Sequence, residues 1–183
     1  MKGKKKGSWS DVKTALKSKT TGEQIDLVRD LYRLSTDNRR FLHTRLLDPS
    51  VEFAEYRRQV ADSIAPDPFG RGRISIAEAK SAIRAYRDAS GDMAGTLDLM
   101  LVFVESGTEY CADLGLDDEA YIDSLASMLD TALGMLGNMT PDKRTAFLSR
   151  LKRIADRARC VGWGWGDFAG DSIARSFPEL LEG

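Results

Sequence analysis

Leu97-Asp98-Leu99-Met100-Leu101-Val102-Phe103-Val104-Glu105 is the most apolar run in this chain of 183 residues. It lies inside a segment, Asp92 to Leu114, that reads as a single helix. At about 100° per residue, Leu97, Leu99, Met100, Phe103, Val104, Tyr110, Cys111 and Leu114 cover more than half of the circumference. An arc that broad marks a central helix, touched by neighbours on several sides. The remaining strip carries Asp98, Glu105, Glu109 and Asp113, at successive spacings of seven, four and four. Four carboxylates therefore stack along one edge, over roughly 20 Å at a rise of about 1.5 Å per residue.

Outward from this segment, helix signals recur and strand signals are almost absent. Before it, Ser10 is a candidate cap for a short helix with Val12, Ala15 and Leu16. Thr21-Gly22-Glu23-Gln24 has the form of a capping box, opening a helix with Ile25, Val28, Leu31 and Tyr32 at helical spacing. Ser35 offers the next cap, for a segment grouping Phe41, Leu42 and Leu46. Asp48-Pro49 starts a further helix, since proline at the first helical position loses only an N–H that has no partner there. Proline and glycine in Pro66-Asp67-Pro68-Phe69-Gly70-Arg71-Gly72-Arg73 exclude regular structure and mark a hinge loop at 66–74. Ser75-Ile76-Ala77-Glu78 repeats the capping-box pattern ahead of Ile83 and Tyr86.

After the central helix, Asp117-Asp118-Glu119 puts acids where the positive end of a helix dipole favours them. Tyr121, Ile122, Leu125, Met128, Leu129, Ala132 and Leu136 carry that helix to about Asn138. Thr140-Pro141-Asp142 opens another, with Phe147, Leu148, Leu151 and Ile154 inward. Gly162-Trp163-Gly164-Trp165-Gly166-Asp167 breaks the pattern, the indoles reading as a lid over the bundle end. A short helix from about Asp167 to Ser176 follows. The element lengths predict an all-α fold of about seven to nine helices in antiparallel pairs, as a compact bundle or a short helical-repeat-like stack. Residues 1–8 read as a disordered basic tail and 9–183 as one helical domain.

Composition narrows the function classes. An apolar share of 42% and a charged share of 30% are those of an ordinary globular protein. A net charge of −1 gives no bulk attraction to nucleic acid or an anionic membrane. Below the net value the charge is segregated: +8 over residues 1–87, −12 with no Lys or Arg over 88–142, and +3 over 143–183. Such blocks either meet on folding or leave an acidic surface for a basic partner. No run approaches the roughly 20 apolar residues of a membrane span. Cys111 and Cys160 fall at apolar helix positions and read as reduced, buried thiols in a cytoplasmic protein.

Three constellations remain to be weighed. The edge Asp98, Glu105, Glu109 and Asp113 is a candidate protein-binding surface. It is otherwise a wet helix face or a partner for arginine-rich neighbours, and the rival chemistry is Mg²⁺ or Mn²⁺ binding in a small hydrolase of phosphorylated substrates. All-helical nucleotide pyrophosphohydrolases use E-x-x-E spacing, which this helix lacks. The basic face Lys143, Arg144, Arg150, Lys152, Arg153 and Arg157, with Trp163 and Trp165 beyond, is the candidate nucleic-acid-binding surface. His43, the one histidine, cannot supply a di-iron or zinc site, and nothing resembling G-x-S-x-G accompanies it. It reads as surface or half-buried.

Several stretches resemble an uncharacterised family of small all-helical bacterial proteins, a domain of unknown function. They are Asp11-Val12-Lys13 with Leu16, Asp30-Leu31-Tyr32-Arg33-Leu34-Ser35-Thr36-Asp37-Asn38-Arg39, Ala79-Lys80-Ser81-Ala82-Ile83 with Tyr86, and Asp98 to Gly107. The resemblance implies an all-helical fold of about this length and brings no activity. The residues themselves point to a non-enzymatic helical protein-interaction module binding another protein in a groove between helix pairs. No catalytic residue, metal or cofactor is assigned.

Overall fold

A computed structural model describes residues 7–116, 118–162 and 164–180, and among these no residue is in a strand. The α-helices are α1 (Trp9–Lys17), α2 (Thr21–Leu34), α3 (Thr36–Leu46), α4 (Pro49–Ile64), α5 (Ile76–Ser90), α6 (Met93–Leu114), α7 (Glu119–Gly137), α8 (Pro141–Ala158) and α9 (Trp165–Ser176). A 3-10 turn at Pro178–Leu180 follows. The fold is all-α, as the periodicity predicts. Most of the predicted basic tail, together with Asp117 and Trp163, lies outside the described residues.

Helix ends follow cap chemistry, with two shifts from expectation. The first cap is Ser8, not Ser10, because Ser8 and Asp11 form a reciprocal box. The second is Thr20, not Thr21, because the Glu23 carboxylate accepts from both the N–H and the hydroxyl of Thr20, at 2.8 and 2.9 Å. Gln24 instead donates to the Leu16 carbonyl at 2.9 Å, tying the end of α1 to the start of α2. Ser35, Asp48, Ser75, Asp92 and Asp118 cap α3 to α7 with side-chain acceptors. Gly91 and Gly115, at φ of 67° and 65°, end α5 and α6 in the left-handed conformation that glycine adopts without a Cβ penalty. The 66–74 loop is pinned at its base, where the Ser75 N–H donates to the Ser63 carbonyl at 2.7 Å.

The helices pair in sequence: α2 with α3, α4 with α5, α6 with α7, and α8 with α9. The pairs then stack. α3 packs on α4 and α5, both of those pack on α6, and the last layer joins through α6 with α8 and α7 with α9. Each layer touches its neighbours and none is skipped, which is the one-dimensional logic of a helical-repeat stack. α6 is central, with Leu97, Leu99, Leu101, Phe103 and Val104 fully buried. Its Leu114 is exposed, so the predicted arc stops a turn short of the helix end.

Two cross-links lock the layers. The Tyr121 hydroxyl on α7 donates to the Ile64 carbonyl at the end of α4, 2.7 Å away, satisfying a carbonyl the helix itself cannot. Trp165, fully buried at the start of α9, donates its indole N–H to Thr108 on α6 at 3.2 Å. That indole sits inside the packing of α6 and α9 and is not a lid.

Candidate functional site

The carboxylate edge of α6 and the basic face of α8 meet. Arg150 is the centre of the contact, its side chain only 12% exposed. Its Nε donates to Glu105 Oε1 at 2.8 Å and its Nη2 to Glu105 Oε2 at 2.6 Å, a bidentate fork. Its Nη1 donates to Asp98 Oδ1 at 2.5 Å, and Arg57 on α4 pairs with the other oxygen of Asp98. Arg153 reaches Glu105 at 3.7 Å and Arg157 pairs with Asp113. Burial works to strip the proton from Arg150, but the two carboxylates outweigh it and hold its pKa above the ordinary arginine value.

This geometry redistributes both predicted sites. Asp98 and Glu105 are turned inward and occupied by guanidinium groups, so they form no open recognition strip. Glu109 is exposed, and Asp113 lies at the rim with Arg157. Of the predicted nucleic-acid face, Arg150, Arg153 and Arg157 are engaged with α6. Arg144 lies 5.3 Å above the Phe177 ring and donates to the Met139 carbonyl at 3.2 Å. Lys143 and Lys152 remain exposed. The segregated charge blocks meet here, one of the two outcomes their arrangement allowed. Among the described residues, no group of three or more His, Cys, Asp or Glu is gathered closely enough to hold a metal ion.

The thiols differ from one another. Cys111 is buried, and loss of solvent pushes its pKa up to about 11. Cys160 is exposed, contrary to its apolar position, because α8 ends at Ala158 and the chain turns outward there.

The feature that periodicity missed lies at the other end of the stack. Ile25, Val28, Leu31 and Tyr32 repeat at helical spacing on α2, yet neither α1 nor α2 has one buried residue. Ile25 is 62% exposed, Leu34 78%, Leu46 70% and Leu47 64%. Ile25, Val28, Arg29 and Tyr32 on α2 face Leu42, His43 and Leu46 on α3, with Leu47 just past its end, across a shallow, largely apolar groove. Further round α2, Leu27, Leu31 and Leu34 continue the exposed face, so apolar side chains occupy about half its circumference.

His43, one of the lining residues, is held by polar partners on two other helices. His43 Nδ1 lies 2.9 Å from Glu52 on α4, and its Nε2 lies 3.2 Å from the Tyr32 hydroxyl. One histidine thus bridges three helices, half-buried as expected, and fixes the spacing of α2 from α3. Arg40 flanks it, 3.8 Å from Glu52 and 4.8 Å from the Tyr56 ring. Sequence spacing gave no sign of this cluster, whose members come from separate helices.

No protein-family model, curated protein or solved structure matches the chain.

Proposed function

We propose that this chain is a non-enzymatic helical module that acts by binding protein, and that its binding surface is the open α2–α3 end of the stack. One observation carries the reading: a contiguous apolar face, lined on both sides of a groove, that none of the described residues covers. Contiguous exposed apolar patches beyond a few hundred Å² mark interaction sites. A groove between two helices suits an amphipathic segment laid along it. The acid–base contact of α6 and α8 supports the same reading from the other side. It engages in internal pairing three of the four carboxylates a hydrolase would use, Asp98, Glu105 and Asp113, and the arginines Arg150, Arg153 and Arg157 of the candidate nucleic-acid face.

Site-specific photo-crosslinking tests this. A benzophenone side chain at Leu46 is expected to yield one discrete crosslinked protein species in cells. The same group at Thr131, exposed on α7, is expected to yield none. No product from Leu46, or the same products from both positions, would remove the proposal.

A further inference from the structure

We propose that the protein seated on the open end is a second copy of this chain, stacked end to end with the first about a two-fold axis. The inference rests on the interaction reading above and names its partner.

The stack itself supplies the main argument. Inside the molecule, every helix pair is covered by another helix pair, apolar face to apolar face. The α2–α3 pair has the same architecture, but among the described residues only one of its sides is covered. Stacks of this kind need terminal layers with a polar outer face. The α8–α9 end meets that need: Lys143, Lys152, Arg153, Asp156, Asp167 and Asp171 are exposed there, with Phe168 the one exposed large apolar side chain among the described residues of these helices. The α2–α3 end does not meet it. What fits an uncovered helix pair in this fold is another helix pair, and the chain carries one of the right kind.

Closure follows from the same asymmetry. A head-to-tail contact would need a second apolar surface elsewhere, and would run on into a filament. Of the other exposed large apolar residues described, Phe41 lies on α3 itself, while Val51, Phe69, Ile74, Met93, Leu114 and Phe168 are spread over α4, the 66–74 loop, the two ends of α6 and α9. With one adhesive end, association must pair like with like and stop at two copies. A self-pairing surface must complement itself in charge. The α2 rim carries both signs, Glu23, Asp26 and Asp30 with Arg29 and Arg33, so no single-sign field opposes the approach.

The area is sufficient. From their exposures and ordinary side-chain areas, Ile25, Leu27, Val28, Leu31, Tyr32, Leu34, Leu46 and Leu47 offer roughly 800 Å², what one partner of a standard stable interface contributes. α1, tied to α2 by the Gln24–Leu16 bond, carries exposed Trp9 and Val12.

Sedimentation equilibrium of the full chain, from about 1 to 100 µM, tests the proposal. A dimer is expected, with Leu46→Asp and Ile25→Asp each raising its dissociation constant by at least about 30-fold. Met93→Asp, at an exposed apolar residue on another layer, should leave it unchanged. Both aspartates fall at exposed positions, and an unaltered circular dichroism spectrum confirms that the variants fold. In a Cys160→Ser background, Val28→Cys should form a disulfide-linked dimer on mild oxidation and Thr131→Cys should not. A monomer at 100 µM overturns the proposal, as does a dimer indifferent to both aspartates. A monomer whose Leu46 crosslinks to a chain of different mass also overturns it while leaving the interaction reading in place. A monomer that sediments with anionic vesicles through the same residues overturns both.

Discussion

At the scale of single residues, Arg150 is the side chain on which most depends. It joins two carboxylates that come from one helix but lie seven positions apart, and each is mostly shielded from solvent. Arg150→Met keeps the aliphatic stem and leaves Asp98 and Glu105 facing each other with only peripheral cations. Removing one partner of a buried ionic group is costly, so a loss of about 2–4 kcal/mol in urea unfolding is expected. Arg153→Met, whose side chain is 73% exposed, should cost under about 1 kcal/mol. Equal losses from the two would show that burial does not set the strength of this contact. Glu23 gives a second residue-scale test. The Thr20 backbone N–H, then its hydroxyl, then Lys19 hold its pKa below the ordinary glutamate value. A carboxylate depressed in the folded state adds stability above its unfolded pKa, and that stability fades as pH falls through the folded one. An NMR titration should therefore place the Glu23 midpoint below the usual glutamate range, with α2 amides near Thr21 losing exchange protection over the same acid interval. In Glu23→Gln that pH dependence should be absent.

Elements show how far the sequence alone could be read. α6 was legible because its apolar arc is wide and its acids are regularly spaced, and the caps were legible because serine, threonine and aspartate take few other roles before an apolar run. At both misplaced caps the structure uses a carboxylate three residues on, Asp11 for Ser8 and Glu23 for Thr20, which accepts two bonds at once; at Thr21 the pattern also allowed Gln24, whose amide instead turns to close α1. The Arg150 contact joins residues 45 and 52 positions apart, and helical periodicity says which side of a helix is polar but not which helix it meets. For α2 the same limit applies, because spacing groups its apolar residues without saying what they meet. An apolar arc is a statement about burial in something, and here that something is not the chain's own core. Close approach between elements was equally hidden. Gly107 lets α6 approach α7: a Cβ there would overlap the Leu125 side chain and come 3.2 Å from the Tyr121 hydroxyl. Gly134, on the outer face of α7, would meet nothing within 4 Å. Gly107→Ala should destabilise by about 1–3 kcal/mol despite the helix propensity of alanine, and Gly134→Ala should stabilise by up to about 1 kcal/mol. Thermal melts of the pair moving in the same direction would contradict this account of α6–α7 packing.

On the scale of the whole molecule, the stack is graded from a well-covered centre to one bare end. α6 has neighbours on both sides and is the element whose opening requires the whole domain to unfold. Among the described residues, α2 is held to the body chiefly by α3 and the Tyr32–His43–Glu52 bridge, and α1 is tied to α2 by the Gln24–Leu16 bond. Helices of nine and fourteen residues are marginal in water by themselves. Their amides should therefore exchange through local opening, while those of α6 exchange through global unfolding. If a second copy covers the open end, closing that end becomes a mass-action event, and the local stability of α2 must rise with protein concentration. Hydrogen exchange followed at about 1 and 100 µM should show α2 protection increasing by more than tenfold, with α6 protection changing far less. In Leu46→Asp the increase should vanish, leaving α2 at its low-concentration rate. Protection of α2 that matched α6 and ignored concentration would mean that α3 and the His43 bridge already hold the arm to the body, and the bare apolar face would then need no second copy to keep its helix formed.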